Sequence, residues 1–214
     1  MIMKITVLGL MVLALTAQTQ AADIKGDLRF RAERIDDYAK DVRLRERIRA
    51  RLGFYGKADE RFDYGIRLAT GDSNPVSTNQ TFDDSFSTKG INLDLAYLKW
   101  TCPLTDSKVY LGKMKNPYKV PGHSSLVWDS DLNPEGAAIQ MSKFGAFLNL
   151  GRHWLDERSG SADAFLHGAQ LGYEKEVGPI KLLIGASYYD YISVKDQTVY
   201  DPTVSDNTPN RSLP

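Results

Sequence analysis

VRLRERIRARLGFYGKA, residues 42–58, decides how the rest of the chain is read, because it reports a secondary structure and a pair of solvents at once. At period two, Val42, Leu44, Ile48, Ala50, Leu52, Phe54 and Ala58 share one face, while Arg43, Arg45, Arg47, Arg49, Arg51 and Lys57 share the other. A helix at ~3.6 residues per turn would spread those arginines around its circumference and leave no continuous apolar stripe. The pattern is a strand, with Glu46 as the one misfit on the apolar face, expected near a rim. At ~3.3 Å per residue it runs for roughly 50 Å, too long for the usual strand of a small soluble sheet. A greasy face backed by a row of cations suits a barrel wall between lipid and water. Were it the only such segment, a strand or charged helix of a soluble protein would be the better reading.

It is one of several. Ile24, Gly26, Leu28, Phe30 and Ala32 alternate with Lys25, Asp27, Arg29, Arg31 and Glu33, and Tyr64, Ile66 and Leu68 alternate with Asp63, Gly65 and Arg67. INLDLAYLKW puts Ile91, Leu93, Leu95 and Tyr97 on one face, and KVYLGKM sets Val109 and Leu111 against Lys108 and Tyr110. Two hairpins follow, one turning near residues 143–145 and one around Val177-Gly178-Pro179. The sum is about nine strands in which short turns alternate with long loops, chiefly residues 70–90 and 115–136. Transmembrane barrels show that asymmetry between their two rims. Phe62, Tyr64, Tyr97, Trp100, Trp154 and the trio Tyr188, Tyr189 and Tyr191 lie at strand ends, as interfacial girdles would.

Composition does not oppose a barrel. With 214 residues, 42% hydrophobic and 25% charged, the chain makes one domain, and its mean hydropathy of −0.36 suits a soluble protein. A membrane barrel passes the same test, since alternate residues face a wet lumen. Basic and acidic residues are equal at 27 each, so there is no footprint for nucleic acid. Residues 1–21 combine a short positive start, the apolar run ITVLGLMVLAL and small residues before Ala22, and read as a secretory signal peptide. Residues 22–214 are then the barrel portion. Nowhere else does the chain approach ~18 continuous apolar residues. Cys102, the single cysteine, has no intramolecular partner and reads as incidental.

Three segments carry more than alternation: RIRARLGF running on to GIRLATGDSNPVSTNQTFDDSFSTKGINLDLAYLKW, then LGKMKNPYKVPG, then LVWDSDLNPEGAAI. Through them the chain resembles the putative porins of Gram-negative outer membranes, over roughly residues 26–139. The resemblance implies an all-β, antiparallel up-and-down transmembrane barrel of the cell outer membrane, in contact with outer-membrane lipid, that passes small hydrophilic solutes by passive diffusion. Porins are often trimers, so a homo-oligomer is the matching expectation. The chain departs from the pattern in having no second half and no terminal amphipathic strand ending in an aromatic residue. Backbone in lipid must be paired, so the expectation is the N-terminal portion of a larger barrel, with a closed barrel of 8 strands as the alternative.

In such a barrel Arg29, Arg31, Arg43, Arg45, Arg47, Arg49, Arg51 and Arg67 face the lumen as a basic wall. A wall of this kind attracts anions, and carboxylates such as Asp27 and Glu33 create a transverse field. Equally, the arginines pair with lumen carboxylates and only keep the wall wet. Loop 115–136 either folds inward as a constriction, setting Asp129, Asp131 and Glu135 against the arginines, or stays outside and solvated, which is the slightly preferred reading. The run Asp129-Ser-Asp131-Leu-Asn133 has the acidic spacing of a calcium loop, but Pro134 stands where that loop needs glycine. Enzyme chemistry finds no support: His123, His153 and His167 are the only histidines, with no HExxH, no G-x-S-x-G and no cofactor motif. The rival functions are a non-conducting barrel whose surface loops bind a partner, and a soluble periplasmic β-protein.

Overall fold

The computed structural model describes residues 22–194 apart from Ala39, so the proposed signal peptide and the tail beyond residue 194 lie outside the described residues. Ten strands run in order: β1 (Asp23–Ile35), β2 (Arg43–Lys57), β3 (Phe62–Thr70), β4 (Gln80–Thr81), β5 (Ile91–Thr101), β6 (Lys108–Lys113), β7 (Glu135–Lys143), β8 (Ala146–Asp156), β9 (Ala164–Val177) and β10 (Ile180–Ile192). Nine are the alternating segments read from sequence. The tenth, β4, is two residues of the loop after β3, which double back to pair Arg47 with Thr81 and Ile48 with Gln80.

Each long strand pairs antiparallel with the next, in the order β1-β2-β3-β5-β6-β7-β8-β9-β10. β1 and β10 are not paired with each other, so this is an open up-and-down sheet, as in a partial barrel. The β7–β8 turn is the two residues Phe144 and Gly145, with φ of 51° and 87°, as a type I′ hairpin requires. Together with the β2–β3, β5–β6 and β9–β10 turns it lies at one end of the sheet; the long loops lie at the other.

The two faces invert the rule of soluble proteins. On the outer face leucines are open, with Leu28 at 74% and Leu44 at 77% exposure, while the Arg49 side chain on the inner face keeps only 12%. The sheet curls around that inner face, as two contacts require. β2 and β10 stand seven strand steps apart, ~34 Å in a flat sheet at ~4.8 Å per step. Yet Trp128 packs on Tyr189 of β10, 5.5 Å between ring centroids. Three residues on, Asp131 comes within 3.9 Å of Arg49 and 4.0 Å of Arg51 on β2. The turn closed by Leu132 N–H donating to Asp129 O keeps that step short. Only a curled sheet lets one loop touch both.

Two sequence expectations change here. Ile91, Leu93, Leu95 and Tyr97 do not share a face: β5 slips register between the pairs Arg67–Leu95 and Leu68–Leu93. The extra residue, Asp94, turns inward beside Leu95, leaving Ile91 and Leu93 outside. Loop 114–134 is also not external. It lies on the inner face, where Tyr118 is 4% exposed and Trp128 7%.

Candidate functional site

The inner face divides into a charged part on β1–β3 and a packed part on β7–β10. On the first, register sets Arg29 directly opposite Arg49 and Arg31 opposite Arg47. Like charges in that position repel, so acceptors must come from elsewhere. Asp27 supplies two: one oxygen accepts from Arg49 at 2.9 Å and the other from Arg51 at 2.7 Å. Glu33 accepts from Arg45 at 2.7 Å and also pairs with Arg31. Among the described residues, neither Arg29 nor Arg47 has a carboxylate within ion-pair distance. They donate to Asn79 Oδ1 at 2.6 Å and Ser77 Oγ at 3.3 Å, neutral groups of the loop that β4 ties over this wall.

Beyond β3 the inward Asp94 pairs with Arg67 and accepts from Asn133 Nδ2 at 2.5 Å. This fixes one end of loop 114–134, with Met114 N–H donating to Pro134 O at 2.9 Å to close its base. The other end docks on the packed part. Gln170 Nε2 donates to Lys119 O at 2.8 Å, and Gln170 Oε1 accepts Lys119 N–H at 2.7 Å. The Lys119 ammonium pairs with Glu174.

Between these anchors Tyr118 lies across the cross-strand pair Gly151–Gly168. A Cβ on Gly168 would sit 2.0 Å from the Tyr118 oxygen, and one on Gly151 2.4 Å, so only glycines admit the ring. Trp128 stacks on Tyr118 at 5.5 Å, Tyr189 meets Tyr118 edge-on at 5.3 Å, and the Tyr118 hydroxyl lies 3.1 Å from His153 Nε2. Burial pushes the Tyr118 hydroxyl pKa above the ordinary tyrosine range.

The sheet therefore runs up and down with an apolar outside, a charged wall inside on β1–β3 and one long loop folded within. The model of the family described as "Putative porin" matches residues 16–212. The chain belongs to this porin family. The match runs well past Ile139, where the residues alone offered only alternation. No curated protein matches the chain. Family membership brings a porin-like function of the outer membrane in general terms, that of a channel rather than an enzyme.

Within this porin-family chain the sequence-derived candidates separate. Arg29, Arg31, Arg45, Arg47, Arg49 and Arg51 form one ladder on β1 and β2, and Arg67 joins through Asp94. Arg43, the first residue of β2, is exposed opposite Ile35 and stands apart. Of the three acids, Asp131 alone approaches the ladder. Asp129 Oδ1 accepts Asp131 N–H at 2.8 Å and shapes the turn, and Glu135 pairs with Lys113 across β6 and β7 at 2.6 Å. The tyrosine trio splits, with Tyr188 68% exposed outside and Tyr189 in the inner cluster. Tyr97, read as a girdle residue, pairs with Tyr110 on the inner face instead.

Sequence reasoning missed Asp94, Ser77, Asn79, Tyr118 and Trp128, and it placed Asn133 in a calcium-loop pattern rather than on Asp94. Asp94 had a signal, a lone acid flanked by Leu93 and Leu95, but the bulge that turns it inward has none. The glycines at 151 and 168 fall in register only once the strands are paired.

Proposed function

We propose that this chain lines a passive channel of the outer membrane for small hydrophilic solutes, with anions favoured over cations. The observation that carries this is the inner ladder, in which Arg29 and Arg47 keep their charge beside neutral partners while Asp131 approaches from the loop. Fixed cations along a narrow wet wall raise the local anion concentration, and a carboxylate across from them sets up a transverse field. Asp131 on loop 114–134 is the constriction element in this reading, Asp129 holds its turn, and Glu135 stands at the rim. Residues 1–21 serve as the export signal, the exposed leucines meet lipid, and the chain assembles as a homo-oligomer, a trimer in the simplest case.

The test is conductance of the protein in planar bilayers with a salt gradient. A reversal potential on the anion side supports the proposal, and absence of any pore above background sinks it. The depth at which loop 114–134 fills the inner face favours one second reading, a plugged barrel whose surface loops hold a partner. Stable membrane insertion without conductance, together with loss of partner binding on deleting residues 71–89, would establish that instead.

A further inference from the structure

The ladder has a local imbalance that a simple wet wall does not need. Arg29–Arg49 and Arg31–Arg47 are consecutive rungs on the inner face, so four guanidinium groups start from Cα atoms ~5 Å apart across the strands and ~6.6 Å apart along them. Arg49 and Arg31 share Asp27 and Glu33 with Arg51 and Arg45. Among the described residues, the diagonal pair, Arg29 and Arg47, donates to Asn79 and Ser77 and pairs with no carboxylate. In all four residues the Nε–H is enclosed with no acceptor among the described residues. With Asp131 counted, six guanidinium groups face three carboxylates. An enclosed charged donor without an acceptor is costly, and so are like charges directly opposed.

We propose that Arg29, Arg31, Arg47 and Arg49 bind a multivalent tetrahedral oxyanion, the phosphate group of inorganic phosphate or of a small phosphorylated solute. This deepens the channel reading by naming the solute class, and rests on that reading only for transport, not for binding. A planar carboxylate presents two oxygens in one plane and bridges at most two neighbouring guanidinium groups, as Asp27 does between Arg49 and Arg51, and a halide is a single point of charge. A phosphate presents oxygens in several directions, enough for forks on both rungs, and its second charge answers the surplus that Asp27, Glu33 and Asp131 leave. Access is from the Arg31 side, where the side chain keeps 40% exposure, while the loop carrying Ser77 and Asn79 covers Arg47 and Arg29. The neutrality of those two loop residues matters: a carboxylate at either position would occupy the site from within.

The test is calorimetric titration of the detergent-folded protein with inorganic phosphate, acetate and glycerol phosphate, at low salt so that screening stays small. The expected result is phosphate binding at least ~10-fold tighter than acetate, and a further loss of at least ~10-fold in the double variant Arg29→Gln, Arg47→Gln. Arg29→Lys with Arg47→Lys keeps both charges without the fork, and is expected between the two. Glycerol phosphate binding as tightly as phosphate assigns the site to the phosphoryl group of esters; weaker binding assigns it to the free ion. Equal affinity for phosphate and acetate, or unchanged phosphate binding in the glutamine variant, overturns the proposal. A heat-dependent gel shift verifies that each variant is folded. Conductance of the same samples separates the two ideas: selective binding without conduction overturns the channel and leaves the site, while conduction without selective binding does the reverse.

Discussion

Across β1–β3 the inner face is held by charge, and across β8–β10 by shape. In the first region guanidinium groups share two carboxylates and borrow neutral acceptors from a loop, and Asp27, the shared partner of Arg49 and Arg51, remains 41% exposed. Pairs that wet contribute little each and exchange partners readily. In the second region a tyrosine lies in a saddle of two glycines, capped by Trp128 and Tyr189, with buried amides gripping the loop backbone. That arrangement is close to all-or-none, because ring and backbone fit in one way. The packed half and the Asp94 anchor together hold loop 114–134, and the arginines decide what the remaining space attracts.

The sharpest way to break that division is Gly168→Leu, which puts side-chain atoms where the Tyr118 oxygen lies. Overpacking together with loss of the aromatic cluster should cost at least about 3 kcal/mol of loop docking. Trypsin should then cut after Lys115 and Lys119, sites protected in the native protein; continued protection would mean that the glycine saddle does not hold the loop.

Asp94→Ala is next, since it leaves Arg67 enclosed without its carboxylate and releases Asn133. A loss of about 3 kcal/mol is expected, read as a lower temperature for the heat-dependent gel shift. If that temperature holds, the bulge on β5 is not an anchor of the charged half.

Alkaline pH probes the packed half through Tyr118. Burial raises the Tyr118 hydroxyl pKa above its unfolded value near ~10, so the folded state keeps a proton there that the unfolded chain loses. Its contribution is fully present below ~pH 10 and is lost as pH rises beyond, at a slope of up to about 1.4 kcal/mol per pH unit. Denaturant midpoints measured across that range should fall less steeply in Tyr118→Phe; identical slopes would show the hydroxyl to be solvated.

The smallest effect is expected from Asp27→Asn. Removing this half-wet carboxylate should change stability by no more than about 1 kcal/mol. It should also move the reversal potential toward greater anion preference, by ~2-fold in permeability ratio. A shift toward cations would contradict the assignment of this wall to anion attraction.

Most of the architecture was legible because a strand with one apolar and one charged face writes both into alternate residues. Leu28 and Leu44 against Arg29 and Arg45 need no partner strand to be assigned. The reading failed where local pattern and pairing part company. In β5 the apolar residues at 91, 93, 95 and 97 keep perfect period two, yet one inserted rung sends the first two outward and the last two inward. In loop 114–134 no periodicity exists, and Tyr118, Trp128 and Asp131 differ from solvated residues only by what waits for them on distant strands. Asp131 was identified with Asp129 and Glu135 by charge alone; which of the three approaches the arginines depends on a turn at residues 129–132.

The amino-acid sequence by itself determined the β class, the strand succession, the two unlike faces and the family, because each is written in residues next to or near one another. Tertiary structure alone decided that Arg29 and Arg47 stand diagonally with neutral partners, that Asp94 turns inward, and that a tyrosine from one loop lies on glycines of β8 and β9. These depend on register and curl, which bring together groups as far apart as positions 29 and 79, 94 and 133, or 118 and 168. A period-two pattern says which way a side chain points; only the paired and curled sheet says what it meets.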